Sequence, residues 1–308
     1  MLTDALTWHP TAPLQPLKLT WLKDAGVEVA VLRLDLIDPL ISGNKWFKLT
    51  EHLRGAAEAG AQGVISLGGA HSNHLHALAA AGKRFGFPTV GLLRGHEQHT
   101  PTTLDLQAFG MQLHWLGYAG YRARHAVDFW LPWQARYLDL QPIPEGGGGL
   151  RGALGCRVLL DMVRAGLSEL GWSDHHGWWL AAGTGTTLAG LALAEQGAHP
   201  VYGALAVPDD HGVMQNVAAI MGSAAGEPDA SAVQFIQASR GGFARTDAQL
   251  LAFMANQEAA CGVPLEPLYT GKALLALHER VLAGQFAPGT RLIFIHTGGL
   301  QGRRAMGL

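Results

Sequence analysis

The sequence predicts an α/β protein of two lobes, each a mainly parallel sheet flanked by helices. Short apolar runs alternate with helix-like stretches along most of the chain, which is the pattern of parallel strands covered by helices. Apolar residues make up 48% of the 308 positions, enough to bury a sizeable core as one large domain or two moderate ones. The alternation is interrupted once, at Pro142-Ile143-Pro144-Glu145 and the four glycines 146–149. They suit a bend between lobes or, more plainly, a tight turn at a helix start.

Taken in order, the first strand is expected over Val27 to Asp35, and Ser42 is expected to cap a helix running to about Arg54. Gly63 to Leu67, Thr89 to Leu93 and Gln112 to Leu116 follow as strands, each succeeded by a helical stretch. Beyond the glycines, strands are expected near Trp178 to Ala182, Val201 to Val207, Val233 to Gln237 and Arg291 to His296. Helices are expected over Leu150 to Leu170, Thr187 to Gln196, Gly212 to Met221, Asp247 to Ala260 and Thr270 to Leu282. No internal repeat is visible.

The formal charge of −2 and the absence of a long basic run argue against a nucleic-acid or anionic-membrane surface and favour a small-molecule ligand. Cys156 and Cys261 are far apart in apolar surroundings and read as reduced core residues. The N-terminal decapeptide lacks a basic start and a long apolar stretch, and no apolar run could span a bilayer. A cytoplasmic location is the expectation.

Two segments carry chemistry. Ser42-Gly43-Asn44-Lys45-Trp46-Phe47-Lys48 places two lysines three apart on one helix face, near the positive end of the dipole. Two solvated surface lysines are the plain reading. A nearby anion, or one amine held as a Schiff base, makes better sense of cations at that end. The second segment, Ala182-Gly183-Thr184-Gly185-Thr186-Thr187, joins an apolar strand to a small-residue helix, so that backbone amides, hydroxyls and a helix N-terminus converge on one anion site. It lacks the Gly-Lys-Ser/Thr of a Walker loop and the G-x-G-x-x-G dinucleotide spacing, so a phosphate is preferred over a nucleotide.

Five motifs occur in order: Gly43-Asn44-Lys45 with Lys48; Ser66-Leu67-Gly68-Gly69 with Ser72-Asn73; Gly183 to Thr187; Tyr269-Thr270-Gly271-Lys272; and His296-Thr297-Gly298-Gly299. With these the chain resembles the D-cysteine desulfhydrase and 1-aminocyclopropane-1-carboxylate (ACC) deaminase family of pyridoxal-phosphate enzymes, within the tryptophan-synthase-β fold type (fold type II). The resemblance implies pyridoxal 5′-phosphate bound to Lys45, whose freed amine would take a proton from the substrate Cα. It implies Lys48 near the phosphate, Gly183, Thr184, Gly185, Thr186 and Thr187 around it, and Asn73 on the cofactor's 3′ oxygen. Ser72 would hold the substrate carboxylate or shuttle a proton, unless it only caps the following helix. His71 would touch substrate, and Tyr269 would act as acid or base on the far side. Thr270 and Thr297 occupy positions where deaminases carry Glu and Leu and desulfhydrases carry hydroxyl residues. A hydroxyl at the ring nitrogen leaves it neutral, which suits elimination of a good leaving group.

The implied lobes are residues 1–43 with 145–308, holding the cofactor, and 44–144. The implied activity is α,β-elimination from a small amino acid, D-cysteine first, by a homodimer. Other deaminases, dehydratases or racemases, and a non-catalytic cofactor-binding protein, are the alternatives. Phe243 stands near where the family carries a second tyrosine and cannot move a proton, and Arg245 beside it is expected at the surface, with a substrate carboxylate as the other option. His71, His74 and His76 lack a ligand to complete a zinc set, so no metal is expected there, and His74 and His76 should face solvent or pack. His296 is expected at a strand end near the cofactor ring, or in a structural role.

Overall fold

The computed structural model describes residues 1–224, 232–242 and 244–307. Among them, ten strands numbered along the chain form two sheets. The larger runs β1 (Leu14–Pro16), β2 (Glu28–Arg33), β10 (Arg291–His296), β7 (Trp178–Ala182), β8 (Val201–Leu205) and β9 (Val233–Gln237), parallel throughout except for β1 against β2. The smaller runs β5 (Gln112–Trp115), β4 (Thr89–Leu93), β3 (Gly63–Gly68) and β6 (Leu140–Pro142), all parallel.

Strands buried on both faces read as unbroken apolar runs. In β7, Trp178 and Leu180 pack into one core cluster while Trp179 and Ala181 pack into the other. The two indoles also anchor the strand to helices on opposite faces. Trp178 Nε1 donates to Glu195 Oε1 at 2.6 Å, and Trp179 Nε1 donates to the Ala273 carbonyl at 2.8 Å.

The eight expected strands are present; β4, β7, β9 and β10 have the expected bounds, β3 runs one residue further, and β2, β5 and β8 are shorter by one or two residues at an end. β1 and β6 were not foreseen: each is a three-residue edge strand ending in proline, without an apolar run, and proline is tolerated only at such edges.

Two helix expectations need correction. Ser42 does not cap the first of these helices; its Oγ donates to the Asp35 carbonyl, and the helix spans Lys45–Glu58 with Asn44 in the cap position. The stretch 150–170 is broken into Gly149–Gly155, Val158–Gly166 and a 3₁₀ turn Leu167–Leu170. The break falls at Gly155, which lies directly on the Phe47 carbonyl where a Cβ has no room, and Cys156 and Arg157 bond three residues back rather than four. The glycines at 146–149 thus lead straight into a helix start, as in the plainer reading of that segment.

No helix among the described residues is long and apolar enough to cross a membrane. Both cysteines are free.

Candidate active site

The carboxyl ends of parallel strands deliver the loops that carry the sequence motifs, which is where open α/β sheets hold their ligands. β7 is followed directly by Gly183, β10 by Thr297, and β3 by the turn leading to Ser72. The helix Lys45–Glu58 begins against the first two.

One of its amines meets the glycine turn directly and the other through Asn44. Lys48 Nζ donates to Thr184 Oγ1 at 3.2 Å, and Thr184 Oγ1 lies 3.1 Å from Thr186 Oγ1. Lys45 Nζ donates to Asn44 Oδ1 at 3.2 Å, and Asn44 Nδ2 donates to Thr187 Oγ1 at 3.0 Å. Cys156, fully buried, completes that group with its thiol 3.7 Å from the same hydroxyl.

Burial drives both amines down, Lys45 to about 8 and Lys48 to about 7, the latter helped by repulsion from Lys45. Two amines this close, with no carboxylate ion-paired to either among the described residues, form a site that wants an anion. The helix Thr186–Glu195 supplies its free N-terminal amides at the same place, behind Gly185 in the left-handed conformation at φ +76°.

The remaining motifs close around this centre. Gly43 (φ +83°) lies against the Thr297 carbonyl and Gly298, and Asn44 N donates to that carbonyl at 3.1 Å, so two segments at opposite ends of the chain share one backbone contact. Gly183 has no room for a side chain because the Tyr269 ring stands 2.8 Å from where its Cβ would be. Gly299 sits between Asn73 and Glu266; a Cβ there would fall 2.8 Å from Asn73 Nδ2 and 3.4 Å from Glu266 Cγ. Asn73 Oδ1 also accepts from Gln301 Nε2. Ser72 caps the helix Asn73–Phe85, its Oγ accepting from Leu75 N at 3.2 Å. That helix starts one residue earlier than His74.

Glu266 escaped the sequence reading. Its buried carboxylate accepts the backbone N–H groups of Leu268, Tyr269 and Thr270 at 2.6–2.8 Å, and so caps the helix Thr270–Leu282 from one turn away. The Thr270 hydroxyl faces it at 3.3 Å. Burial pushes Glu266 up to about 7 against these hydrogen bonds, and raises the Tyr269 phenol as well, so that Tyr269 stays protonated. An acidic residue just ahead of a helix start was the available signal. Asn44 and Cys156 left none, because their shared partner Thr187 is remote in sequence.

The histidines separate. His71 is exposed at the turn. His74 and His76 are buried rather than solvent-facing: Ser66 Oγ accepts from His74 Nε2 at 2.7 Å while donating to the Ile143 carbonyl, and His76 Nε2 lies 3.1 Å from Asp105 Oδ2. His296 is fully buried, and burial lowers its pKa. Its Nε2 lies 2.6 Å from the Pro264 carbonyl, and its Nδ1 lies 3.2 Å from Asp35 Oδ1 and 3.3 Å from Gly298 N, a structural role that holds the Thr297 turn. Arg245 is exposed, and Phe243 lies outside the described residues.

A family model described as pyridoxal-phosphate dependent enzyme matches residues 3–298. The chain belongs to that family. The enzyme is 29% identical over 300 residues to a D-cysteine desulfhydrase of Salmonella typhi, spanning 89% of this chain and 87% of that protein. It is 27% identical over 299 residues to the bifunctional D-cysteine desulfhydrase/1-aminocyclopropane-1-carboxylate deaminase, mitochondrial, of Arabidopsis thaliana, spanning 90% and 73%. In fold it is similar to a solved ACC deaminase homologue, with a TM-score of 0.75, 23% identity and coverage of 99% and 98%. The donor set fits pyridoxal phosphate: two amines of depressed pKa, one helix N-terminus with hydroxyls beside it, and glycines where backbone must approach closely.

Proposed function

We propose that the enzyme carries out α,β-elimination on a small amino acid, with D-cysteine as substrate and pyruvate, sulfide and ammonia as products. The observation that carries this reading is the approach of two buried amines to the Gly183–Thr187 turn, Lys48 directly through Thr184 and Lys45 through Asn44, which bonds Thr187. Pyridoxal phosphate held there would supply the electron sink for charge left on the substrate Cα.

Lys45 would hold the cofactor and take the Cα proton, a task for which a pKa of about 8 leaves roughly a tenth of the amine neutral at pH 7 and about half at pH 8. Lys48, Gly183, Thr184, Gly185, Thr186 and Thr187 would hold the phosphate, Thr187 through its backbone amide and its O–H, whose oxygen accepts from Asn44. Asn73 meets the cofactor's 3′ oxygen. Ser72 and the neighbouring turn, with His71 at its rim, take the substrate carboxylate. Protonated Tyr269 donates on the opposite side, and the hydroxyls Thr270 and Thr297 border the ring.

This reading also divides the chain into residues 1–43 with 145–308 and residues 44–144, in keeping with the strands each sheet uses. It includes a homodimer in the cytoplasm, with the two free thiols in accord with a reducing compartment.

The test adds D-cysteine to the purified holoenzyme and follows sulfide, pyruvate and the visible cofactor band. Release of both products, abolished in Lys45→Ala together with the band, is expected; a visible band without turnover refutes the D-cysteine assignment, and a band that survives Lys45→Ala refutes the role of that lysine. ACC is the second substrate to test, because the Glu266 carboxylate behind Thr270 brings an acid close to the position where deaminases carry one.

A further inference from the structure

At the far end of the helix Thr186–Glu195, away from the cofactor turn, three side chains converge that no part of the proposed chemistry uses. Asp174 and His175 lie just before β7, and His199 follows the helix. One ligand atom from each lies within 4.8 Å of the other two. Beneath them sits Glu195, 3% exposed.

Glu195 already engages one nitrogen of each ring. Its Oε1 lies 3.4 Å from His175 Nε2, and its Oε2 lies 2.9 Å from His199 Nδ1. The nitrogens left over are His175 Nδ1 and His199 Nε2. The first is buried on a residue only 1% exposed and has no hydrogen-bond partner, an expensive state for a polar atom. The second is 3.3 Å from Asp174 Oδ2.

We propose that Asp174, His175 and His199 bind a zinc-type divalent cation. A carboxylate that orients each imidazole from its remote nitrogen is the outer arrangement of such sites. Ligands at 2.0–2.1 Å from a tetrahedral zinc stand about 3.4 Å apart, close to the Asp174–His199 separation. The metal would occupy the orphaned His175 nitrogen. The fourth position opens to a surface cavity of about 610 Å³, bordered by Trp172 and Ser173 as well as the three ligands. The helix is ten residues long, so the cation sits about 15 Å from the cofactor turn. Its role is to fasten the helix's C-terminal end to the start of β7, without a part in the elimination.

Tag-free holoenzyme, stripped with a chelator and dialysed to equilibrium against Zn²⁺, would be assayed for bound zinc by elemental analysis. One equivalent is expected for the wild type. Asp174→Ala and His199→Ala should weaken binding at least 10-fold, and Glu195→Gln about 10–100-fold. At one zinc concentration the thermal midpoint of the wild type should rise further than that of Asp174→Ala, a change at an exposed residue that leaves the core intact. No stoichiometric zinc in the wild type, or the same affinity in Asp174→Ala, would overturn the site. Neither result bears on the cofactor band, so the elimination reading stands or falls separately.

Discussion

Replacing Gly43 by alanine separates two costs that this site imposes on its backbone. The first is conformational: at φ +83° an L-residue costs about 1–2 kcal/mol. The second is steric. The new methyl would overlap the Thr297 carbonyl and lie 2.9 Å from Gly298 Cα, so the two loops must part. Parting them strains the bond from Asn44 N to that carbonyl, worth about 0.5–1.5 kcal/mol. The sum is about 1.5–3.5 kcal/mol. Gly60→Ala is the control, because Gly60 also has a positive φ, +74°, but nothing within 4 Å of its missing Cβ. It should show the first cost alone. At the about 2–4 °C per kcal/mol of a large single domain, losses of about 3–14 °C for Gly43→Ala and about 2–8 °C for Gly60→Ala are expected, the first the larger of the two. Gly43→Ala should also lose cofactor in equilibrium dialysis, since Asn44 and Lys45 follow the displaced loop, whereas Gly60→Ala should not. Equal midpoint losses, or unchanged cofactor retention in Gly43→Ala, would refute the argument that the two loops depend on bare backbone.

The lowered amines predict pH effects of definite sign. Capture of the cofactor aldehyde by apoenzyme should quicken as pH rises and level off above about 8, and stopped-flow absorbance would show it. Because Lys45 and Lys48 bind fewer protons folded than unfolded, apoenzyme stability relative to a Lys45→Met/Lys48→Met variant should rise between pH 7 and 10.5; a flat difference in urea midpoints contradicts this. Thr187→Val removes the acceptor of Asn44 Nδ2 and should cost about 1–3 kcal/mol while raising the cofactor dissociation constant, both measurable on one preparation. Glu266→Ala strips three backbone donors of their acceptor and should cost at least about 3 kcal/mol, with Glu266→Gln recovering part; equal stability of the two variants would show that the carboxyl oxygens do not cap the helix.

Much of this protein is readable from its residues because the relevant physics is local. Unbroken apolar runs such as Trp178 to Ala182 announce strands buried on both faces, and Gly183 to Thr187 announces an anion site because amides, hydroxyls and a helix start are contiguous there. What tertiary structure alone decided involves partners remote in sequence. Asn44 is committed to Thr187, and Gly43 must be glycine because the Thr297 turn lies on it. Whether His74 and His76 face solvent or pack is open in the sequence, and the fold buries both, since Ser66, Ile143 and Asp105 arrive from other elements. The helix expected over 150–170 breaks where Gly155 meets a foreign carbonyl, a contact that no helical propensity encodes. Periodicity and turn chemistry report what a segment can form alone, whereas burial and hydrogen-bond partners depend on which segments the fold brings beside it.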